Sequence, residues 1–353
     1  MKRNSNLESV ALAVTILVCS TAVHSAEGLW EPAGLQGYNI WALEASPTGV
    51  MLAGSAFETV NKIFRTPDFG LTWTEATGLP GNEIWGIEFD PSNESIVYAA
   101  LNGAGVYKSL DGGASWSWSN LNGQIWEIAV SPTHPEVLYI ASETGGVYKS
   151  EDAGGTWLPQ DLGTVDKATA VAVHPTNPDI ALAGTPFDGV FQTADGGATW
   201  LQANAGFGFT PDIRSLFINP QNPTTVYAGE FSNGVFKSLD GGLTWFRPDP
   251  TLSATVGEIE ALDTDLYIID AFEANNIPAY RSQDGGATWE PLPRLPDLPG
   301  PLWPRSLEVV PGAVLIGTTP DTNPGGIYLR ELPEIFADGF ESGDTSAWSN
   351  AVP

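Results

Sequence analysis

The sequence predicts an all-β protein folded as a seven-bladed β-propeller, and three observations support this prediction. Six segments share the pattern Ser/Thr-x-Asp-x-Gly-x-Thr/Ser-Trp and align without gaps. Their aspartates are spaced by 41 to 45 residues, which suits one four-stranded blade each; they are Asp68, Asp111, Asp152, Asp195, Asp240 and Asp284. Glycine and proline are abundant, with 39 and 28 residues, and helical periodicity is absent.

The strands of one repeat can be placed from its apolar runs. In the third repeat, residues 125–132 are strand one, 137–142 strand two and 146–150 strand three, and strand four follows Trp157. The aspartate motif therefore falls in the turn between strands three and four.

The two ends of the chain determine the number of blades. After the sixth motif, residues 306–319 and 325–332 supply three more strands, and no further copy of the motif follows them. Near the N-terminus, residues 29–35 (LWEPAGL) resemble residues 72–79 (TWTEATGL), the fourth strand of a repeat. We therefore expect the N-terminal strand to close a degenerate seventh blade, which removes free sheet edges.

The ends outside the repeats predict export. A short basic start precedes an apolar run at residues 10–18, and Val23 and Ser25 stand where a signal peptidase requires them. The run is too short to be a permanent membrane span. We expect a signal peptide at residues 1–25 cut after Ser25, a propeller at 28–332 and an acidic tail at 333–353. The mature protein is expected to be a secreted or periplasmic monomer that is not inserted in a membrane.

Charge and composition exclude several classes of function. With 42 acidic and 14 basic residues the formal net charge is −28, which disfavours nucleic acids and anionic membranes as partners. The single cysteine, Cys19, lies in the predicted signal peptide, so the mature fold rests on its core rather than on disulfides. Without cysteine, and with His134 and His174 far apart, neither a zinc site nor a Ser-His-Asp triad is indicated. We expect no metal and no cofactor.

The repeated motif resembles the Asp box, or bacterial neuraminidase repeat. Families that share it include sialidases, xyloglucanases, sortilin-type receptors and the photosystem II assembly factors, and by blade number and length the last are most similar to this chain. The resemblance implies the fold but leaves the function open. We expect each box to be structural, with an aspartate that accepts backbone N–H groups, glycines at positive φ and a tryptophan packed beneath the turn.

The related enzymes fit this chain poorly. Resemblance to sialidases implies three arginines on a substrate carboxylate and six blades, whereas only Arg214 and Arg305 are expected near the channel. Xyloglucanases work between two propellers, and this chain has the length of one. The assembly factors are associated with an arginine-rich patch, for which the chain offers only Lys167, Arg214 and Arg305.

The face opposite the Asp boxes is the expected site of function, because there the repeats differ. Alignment of the innermost strands places seven residues at one position near the channel mouth: Trp41, Trp85, Trp126, Thr169, Arg214, Gly257 and Arg305. Trp303 and Lys167 lie close by in the sequence. Aromatic rings and arginines suit a sugar ring, a peptide side chain or a carboxylate ligand. The alternative is that the tryptophans only pack between blades.

The loops between strands two and three lie on the same face and pair a phenylalanine with an acid. The acids are Glu58, Asp188, Glu230 and Glu273. These loops indicate either binding or drift in an exposed segment. The sequence thus favours a non-catalytic binding or scaffolding propeller with an extracytoplasmic protein or glycan as ligand. A glycoside hydrolase or lyase that uses the loop carboxylates, and a cell-surface structural protein without a discrete ligand, remain alternatives.

Overall fold

The computed structural model describes residues 29–163, 167–271, 278–295, 302–320 and 325–332, without the side chains of residues 302, 303 and 320. The predicted signal peptide (1–25) and acidic tail (333–353), together with Glu273 and the side chain of Trp303, lie outside the described residues. Within the described ranges every regular element is a β-strand.

The strands follow one another in short antiparallel runs. In chain order they are β1 (Glu31–Pro32), β2 (Ile40–Ala45), β3 (Met51–Ser55), β4 (Ile63–Thr66), β5 (Thr74–Glu75), β6 (Ile84–Phe89), β7 (Val97–Leu101), β8 (Gly105–Ser109), β9 (Ser117–Trp118), β10 (Ile125–Val130), β11 (Leu138–Ser142), β12 (Gly146–Ser150), β13 (Leu158–Gln160) and β14 (Ala170–Val173). They continue with β15 (Ala181–Thr185), β16 (Gly189–Thr193), β17 (Leu201–Gln202), β18 (Ile213–Ile218), β19 (Val226–Glu230), β20 (Gly234–Ser238), β21 (Val256–Leu262), β22 (Asp265–Asp270), β23 (Ala279–Ser282), β24 (Glu290–Pro291), β25 (Leu302–Val310), β26 (Ala313–Pro320) and β27 (Gly326–Glu331).

These strands form seven sheets, one per blade, and the predicted seven-bladed propeller is confirmed. Blades 1 to 4 are β2–β5, β6–β9, β10–β13 and β14–β17. Blade 5 is β18–β20 and blade 6 is β21–β24. Blade 7 has the order β1-β27-β26-β25, so its outermost strand comes from the start of the described chain.

The closure of the ring depends on the N-terminal segment, as expected. Glu31 pairs with Leu329 and Pro32 with Tyr328. The neighbouring Trp30 is 2% exposed, and its indole Nε1 donates a hydrogen bond of 2.7 Å to the Pro293 carbonyl oxygen of blade 6. Two tryptophans of the repeated motifs make equivalent bonds to the preceding blade: Trp157 donates to the Ser119 carbonyl oxygen at 2.8 Å and Trp245 to the Ala203 carbonyl oxygen at 2.9 Å. Trp30 therefore does for blade 7 what Trp157 and Trp245 do for blades 3 and 5.

The hydrophobic core lies between the blades. Seven clusters of buried apolar side chains each combine residues of two consecutive blades. In the cluster between blades 1 and 2, Leu52 and Ile63 pack with Ile84, Phe89 and Trp116. Each sheet is thus covered on both faces by its neighbours, which is why the strands read as apolar runs.

Blade 5 departs from the four-stranded pattern. Its sheet has three strands, and the outer strand is reduced to one bridge between Lys237 and Phe246. Pro248 and Pro250 follow closely. Because proline has no N–H to donate, the ladder cannot continue along this segment.

The six repeated aspartate motifs, called Asp boxes for their resemblance, share one hydrogen-bond pattern in the turn between strands three and four. In blade 2, the Asp111 carboxylate accepts bonds from the Ser109 hydroxyl (2.8 Å), the Ser115 N–H (2.8 Å) and the Ser115 hydroxyl (2.6 Å). These bonds lower the pKa of Asp111, the Ser115 hydroxyl contributing most. Gly113, at φ 87°, brings its N–H to the Ser109 hydroxyl, a conformation that a side chain would strain.

For five of the six boxes, the residue on strand three before the box joins its blade to the next one. Five such side chains donate to a carbonyl oxygen in the following box turn: Arg65 to Gly112 (2.8 Å), Lys108 to Ala153 (2.7 Å), Lys149 to Gly196 (2.8 Å), Gln192 to Gly241 (2.7 Å) and Lys237 to Gly285 (2.7 Å). The face that carries the Asp boxes is therefore a chain of local turns linked from blade to blade.

The link formed by Lys149 yields a prediction about stability. Lys149 is 7% exposed, so Lys149→Ala removes a charge-assisted hydrogen bond in a buried place and is expected to cost about 1.5–3 kcal/mol of unfolding free energy. Lys149→Gln should cost clearly less, because Gln192 makes the same bond one blade later. Urea unfolding measures both changes.

The control for this experiment is Lys62→Ala, which removes a more exposed cation paired with Glu75 and should leave the unfolding midpoint unchanged. Equal destabilisation by Lys149→Ala and Lys149→Gln would contradict the proposed role of the bond to Gly196.

Candidate functional site

A β-bulge occurs at the same place in the innermost strand of six blades. The shifts in register lie between Ile40 and Ala42, Ile84 and Gly86, Ile125 and Glu127, Ile213 and Ser215, Val256 and Glu258, and Pro304 and Ser306. The extra residues are Trp41, Trp85, Trp126, Arg214, Gly257 and Arg305, six of the seven aligned in the sequence. A bulge redirects the side chain of its extra residue and is frequent beside functional sites.

The bulged residues surround the opening of one cavity. This cavity has a volume of about 730 Å³, and all seven aligned positions line it, including Thr169 of blade 4. Thr169 is withdrawn from the opening, since its hydroxyl donates to the Ile213 carbonyl oxygen at 2.5 Å. The mouth of the channel therefore has an aromatic half in blades 1 to 3 and a half with two arginines in blades 5 to 7.

The tryptophans of the aromatic half contact one another and their neighbours. The rings of Trp85 and Trp126 are stacked, with centroids 4.0 Å apart and planes 19° apart. Trp41 meets Phe57 edge-on at 5.1 Å, and the Arg305 guanidinium lies 4.7 Å from the Trp41 ring centroid. All three tryptophans are half-buried, so they pack across blade boundaries and also face the cavity.

Trp126 is held by a carboxylate that the sequence reasoning missed. The indole Nε1 of Trp126 donates to one oxygen of Glu143 at 2.7 Å, and the Lys167 ammonium donates to the other oxygen at 2.7 Å. The same ammonium lies 5.9 Å from the Trp126 ring centroid. Glu143 is the first residue after β11, and this position was not aligned between repeats in the sequence. Such an alignment is the signal that would have found it.

Arg214 is paired within its own blade. Its guanidinium forms an ion pair with both carboxylate oxygens of Asp212, each contact being 2.7 Å, and lies 4.9 Å from the Phe231 ring centroid. Burial raises the pKa of Asp212, while Arg214 opposes this rise. The guanidinium is thus fixed in position and its charge is largely compensated.

The predicted loop acids have different surroundings. The Glu58 carboxylate accepts the Asn39 backbone N–H and side-chain amide, each at 3.0 Å. Glu230 is 3% exposed and accepts the backbone N–H groups of Ser232 and Asn233. Glu58 therefore ties its loop to the segment before β2, and Glu230 organises its own loop. Asp188 is half-buried beside Phe187, which is 75% exposed.

A second set of carboxylates lines the channel below the mouth, and the sequence analysis did not single it out. They lie one or three residues after the bulged residue of their own innermost strand: Glu44, Glu88, Glu127, Glu258, Glu260 and Glu308. Four of them accept a backbone N–H from the innermost strand of the next blade: Glu127 from Val171 (2.8 Å), Glu258 from Leu307 (2.6 Å), Glu260 from Val309 (2.8 Å) and Glu308 from Ala45 (2.9 Å). These N–H groups face the channel and need an acceptor there.

Burial makes the channel carboxyls much weaker acids than usual. It raises the pKa of Glu88, Glu127 and Glu260 to about 8, and the neighbouring carboxylates add to the effect at Glu88. Burial and mutual repulsion also hold the pKa of Glu44, Glu258 and Glu308 well above the ordinary value. Among the described residues that line the cavity, the cations are Arg214 and Arg305, at the mouth. Protonation is therefore the main way in which this crowding is relieved.

Two further features bear on the chemistry of the site. In the part of the chain that the structure describes, no three His, Cys, Asp or Glu side chains are grouped so that they could hold a metal ion. No helix of the described segments is long and apolar enough to cross a membrane.

Comparison with solved structures identifies the fold. YCF48 bound to a D1 peptide superposes with a TM-score of 0.63 at 16% sequence identity, over 88% of this chain and 98% of that chain. YCF48 from Cyanidioschyzon merolae gives 0.60 at 15% identity, over 87% and 99%. The extracellular domain of the hybrid two-component system BT3049 from B. thetaiotaomicron gives 0.66 at 14%, over 86% of this chain and 41% of that one.

These likenesses establish a shared fold. The resemblance to the photosystem II assembly factors is confirmed at that level. No protein-family model matches the sequence, and none of the curated proteins is similar to it.

The channel glutamates predict an unusual dependence of stability on pH. The pKa of Glu127 is about 8 in the folded protein and 4.5 for the free group. Between pH 4.5 and pH 8, Glu127 therefore carries a proton in the folded state but not in the unfolded chain. Its contribution to stability is therefore complete below about pH 4.5 and is lost as the pH rises through 8. The Asp boxes act in the opposite sense, because hydrogen bonds lower the pKa of Asp284 to about 2. Stability should peak near pH 4–5.

The measurement is urea unfolding between pH 4 and 9, with Glu127→Gln as the informative variant. The amide oxygen can still accept the Val171 N–H but carries no charge. The unfolding free energy that is lost above pH 6 should therefore be smaller by about 1–3 kcal/mol. Glu290→Gln, at an exposed position on β24, serves as the control. A pH profile that Glu127→Gln leaves unchanged would rule out this carboxyl as a source of the slope.

Proposed function

We propose that this protein is a non-catalytic binding propeller that works outside the cytoplasm and holds a segment of a partner protein at its channel mouth. The observation that carries the proposal is the ring of bulged residues around one cavity, with the stacked Trp85 and Trp126 on one side and Arg214 and Arg305 on the other. The ring is the place where the repeats stop being alike.

The composition of the mouth suits a protein ligand. Tryptophan and arginine are the residues most enriched where interfaces concentrate their binding energy. Here their positions are set in advance, by stacking for Trp85 and by the ion pair with Asp212 for Arg214, so little conformational freedom remains to be lost on binding. A cavity of about 730 Å³ is large enough to admit one or two side chains of an inserted segment.

A protein segment is favoured over a glycan by the way the aromatic faces are used. Trp126 is stacked against Trp85 and also has the Lys167 ammonium near its ring, and the Arg305 guanidinium lies over Trp41. These contacts leave little open ring surface on which a sugar could stack. The YCF48 structure with a bound D1 peptide further supports a peptide ligand.

The loop carboxylates support a non-catalytic role. Glu58 and Glu230 are engaged by backbone N–H groups, and a carboxylate with that duty is poorly placed to exchange protons with a substrate. Turnover on any substrate of a polysaccharide panel, abolished by Asp188→Ala, would replace this proposal by the glycoside hydrolase alternative.

The proposal includes the place and extent of the protein. We propose that residues 1–25 are removed on export, that residues 28–332 form the propeller and that residues 333–353 are an acidic tail. The extracellular propeller of BT3049 is a precedent for this fold outside the cytoplasm.

The tryptophan pair provides the test. A peptide selected on the wild-type protein from a displayed random library is the probe, beside a panel of soluble glycans. Trp126→Ala and Trp85→Ala should each weaken peptide binding by about tenfold or more, since each removes a central aromatic contact of about 1.4 kcal/mol or more. The melting temperature should fall by only a few degrees.

The matched control is Trp118→Ala, which removes a tryptophan 46% exposed on the outer strand β9. Its binding should equal that of the wild type. Unchanged binding in the two mouth variants, or their collapse on mild heating, would show that the pair is only part of the core.

A further inference from the structure

We propose that Glu143 is a positioning residue of the mouth, which fixes the orientation of Trp126 and Lys167 for the ligand. This inference rests on the proposed function of the mouth. Its basis is the use of both carboxylate oxygens, one by the Trp126 indole Nε1 and the other by the Lys167 ammonium, each at 2.7 Å. Lys167 belongs to the approach to blade 4, so Glu143 also joins two blades at the mouth.

The position of Glu143 is a repeated feature of the fold. In five blades the first residue after strand two donates its backbone N–H to the innermost strand. The acceptor is the carbonyl oxygen two residues before the bulged residue: Ala56 to Asn39 (3.0 Å), Asn102 to Glu83 (2.9 Å), Glu143 to Gln124 (2.9 Å), Phe231 to Asp212 (3.0 Å) and Ala271 to Thr255 (2.8 Å). This bond fastens the residue beside the ring residue of its own blade. Phe231 accordingly lies against Arg214, and Ala271 against Gly257.

Blade 2 shows what happens when the position lacks a free carboxylate. Its residue there is Asn102, whose amide oxygen accepts Gln124 at 3.0 Å and whose amide nitrogen donates to Glu83 at 2.8 Å. The Trp85 indole N–H is buried and has no acceptor among the residues that the structure describes. Trp85 is therefore oriented by its stacking on Trp126, and the orientation of the pair depends on the bond from Trp126 to Glu143.

The strength of this bond comes from the charge of its acceptor. A hydrogen bond to an ionised group is shorter and roughly twice as strong as one between neutral groups. The neighbouring Lys167 ammonium compensates the negative charge, which allows the carboxylate to remain at the half-buried mouth. Glutamine can offer one acceptor oxygen to Trp126 but cannot also accept Lys167 through its second atom.

The first measurement needs no ligand. Stacked indoles produce an exciton couplet in the circular dichroism spectrum, and its amplitude depends on the distance and angle between Trp85 and Trp126. Glu143→Leu should lose most of this couplet, whereas Glu143→Gln should retain it through its remaining acceptor. Glu136→Gln, on an exposed turn of the same blade, is the control. A full couplet in Glu143→Leu would overturn the proposal.

The second measurement uses the peptide selected on the wild-type protein. Glu143→Leu should weaken peptide binding about tenfold, because the charge-assisted hydrogen bond that holds Trp126 in its binding orientation is lost. Glu143→Gln should retain most of the affinity. Full affinity in Glu143→Leu combined with lost affinity in Trp126→Ala would overturn the positioning role alone. Full affinity in Trp126→Ala itself would overturn the proposed function of the mouth.

Discussion

The core of this protein lies between blades, so no blade is stable without two neighbours and the ring has to close. Closure depends on strand β1, which completes blade 7, and on Trp30, whose side chain is buried against blade 6. A second requirement arises at the centre of the ring, where the innermost strands expose backbone N–H groups to the channel and these groups need acceptors. Glutamates of the preceding blade accept four of them, which crowds carboxyl groups inside the channel, where partial burial and mutual repulsion raise their pKa values.

Local chemistry explains why the fold could be predicted from the sequence. An Asp box is a turn whose hydrogen bonds join residues at most four apart, as between Ser109, Asp111 and Ser115, so its pattern survives in the sequence. The role of the N-terminal strand was readable for the same reason, since Trp30 stands in a copy of strand four. The short outer strand of blade 5 was not anticipated, although Pro248 and Pro250 in the sequence are its physical cause.

The candidate site could be predicted in position but not in its internal contacts. Alignment of the innermost strands located the ring because every bulge occupies the same place in its blade, yet it gave no sign that a bulge was present. The partners of the ring residues are distant in sequence or lie at positions that had not been compared, as with Glu143 on Trp126. Conversely, Glu58 and Glu230 looked available in the sequence because their backbone donors are positioned only by the fold: Asn39 comes from the segment before β2, and Ser232 from the loop of Glu230 itself.

Under the proposed function, the two faces of the propeller divide stability from recognition. In a chain with 14 basic and 42 acidic residues, cations are scarce, and the strand-three cations Arg65, Lys108, Lys149 and Lys237 each join one blade to the next box. The three cations at the mouth lie on the face opposite the Asp boxes, each beside an aromatic ring of that face: Lys167, Arg214 and Arg305. The mouth contacts differ from one blade to the next, whereas the contacts of the Asp boxes recur, so the repeats vary at the mouth and stay alike at the boxes. A scaffold of this kind can acquire a ligand on one face while the Asp boxes keep the other face constant.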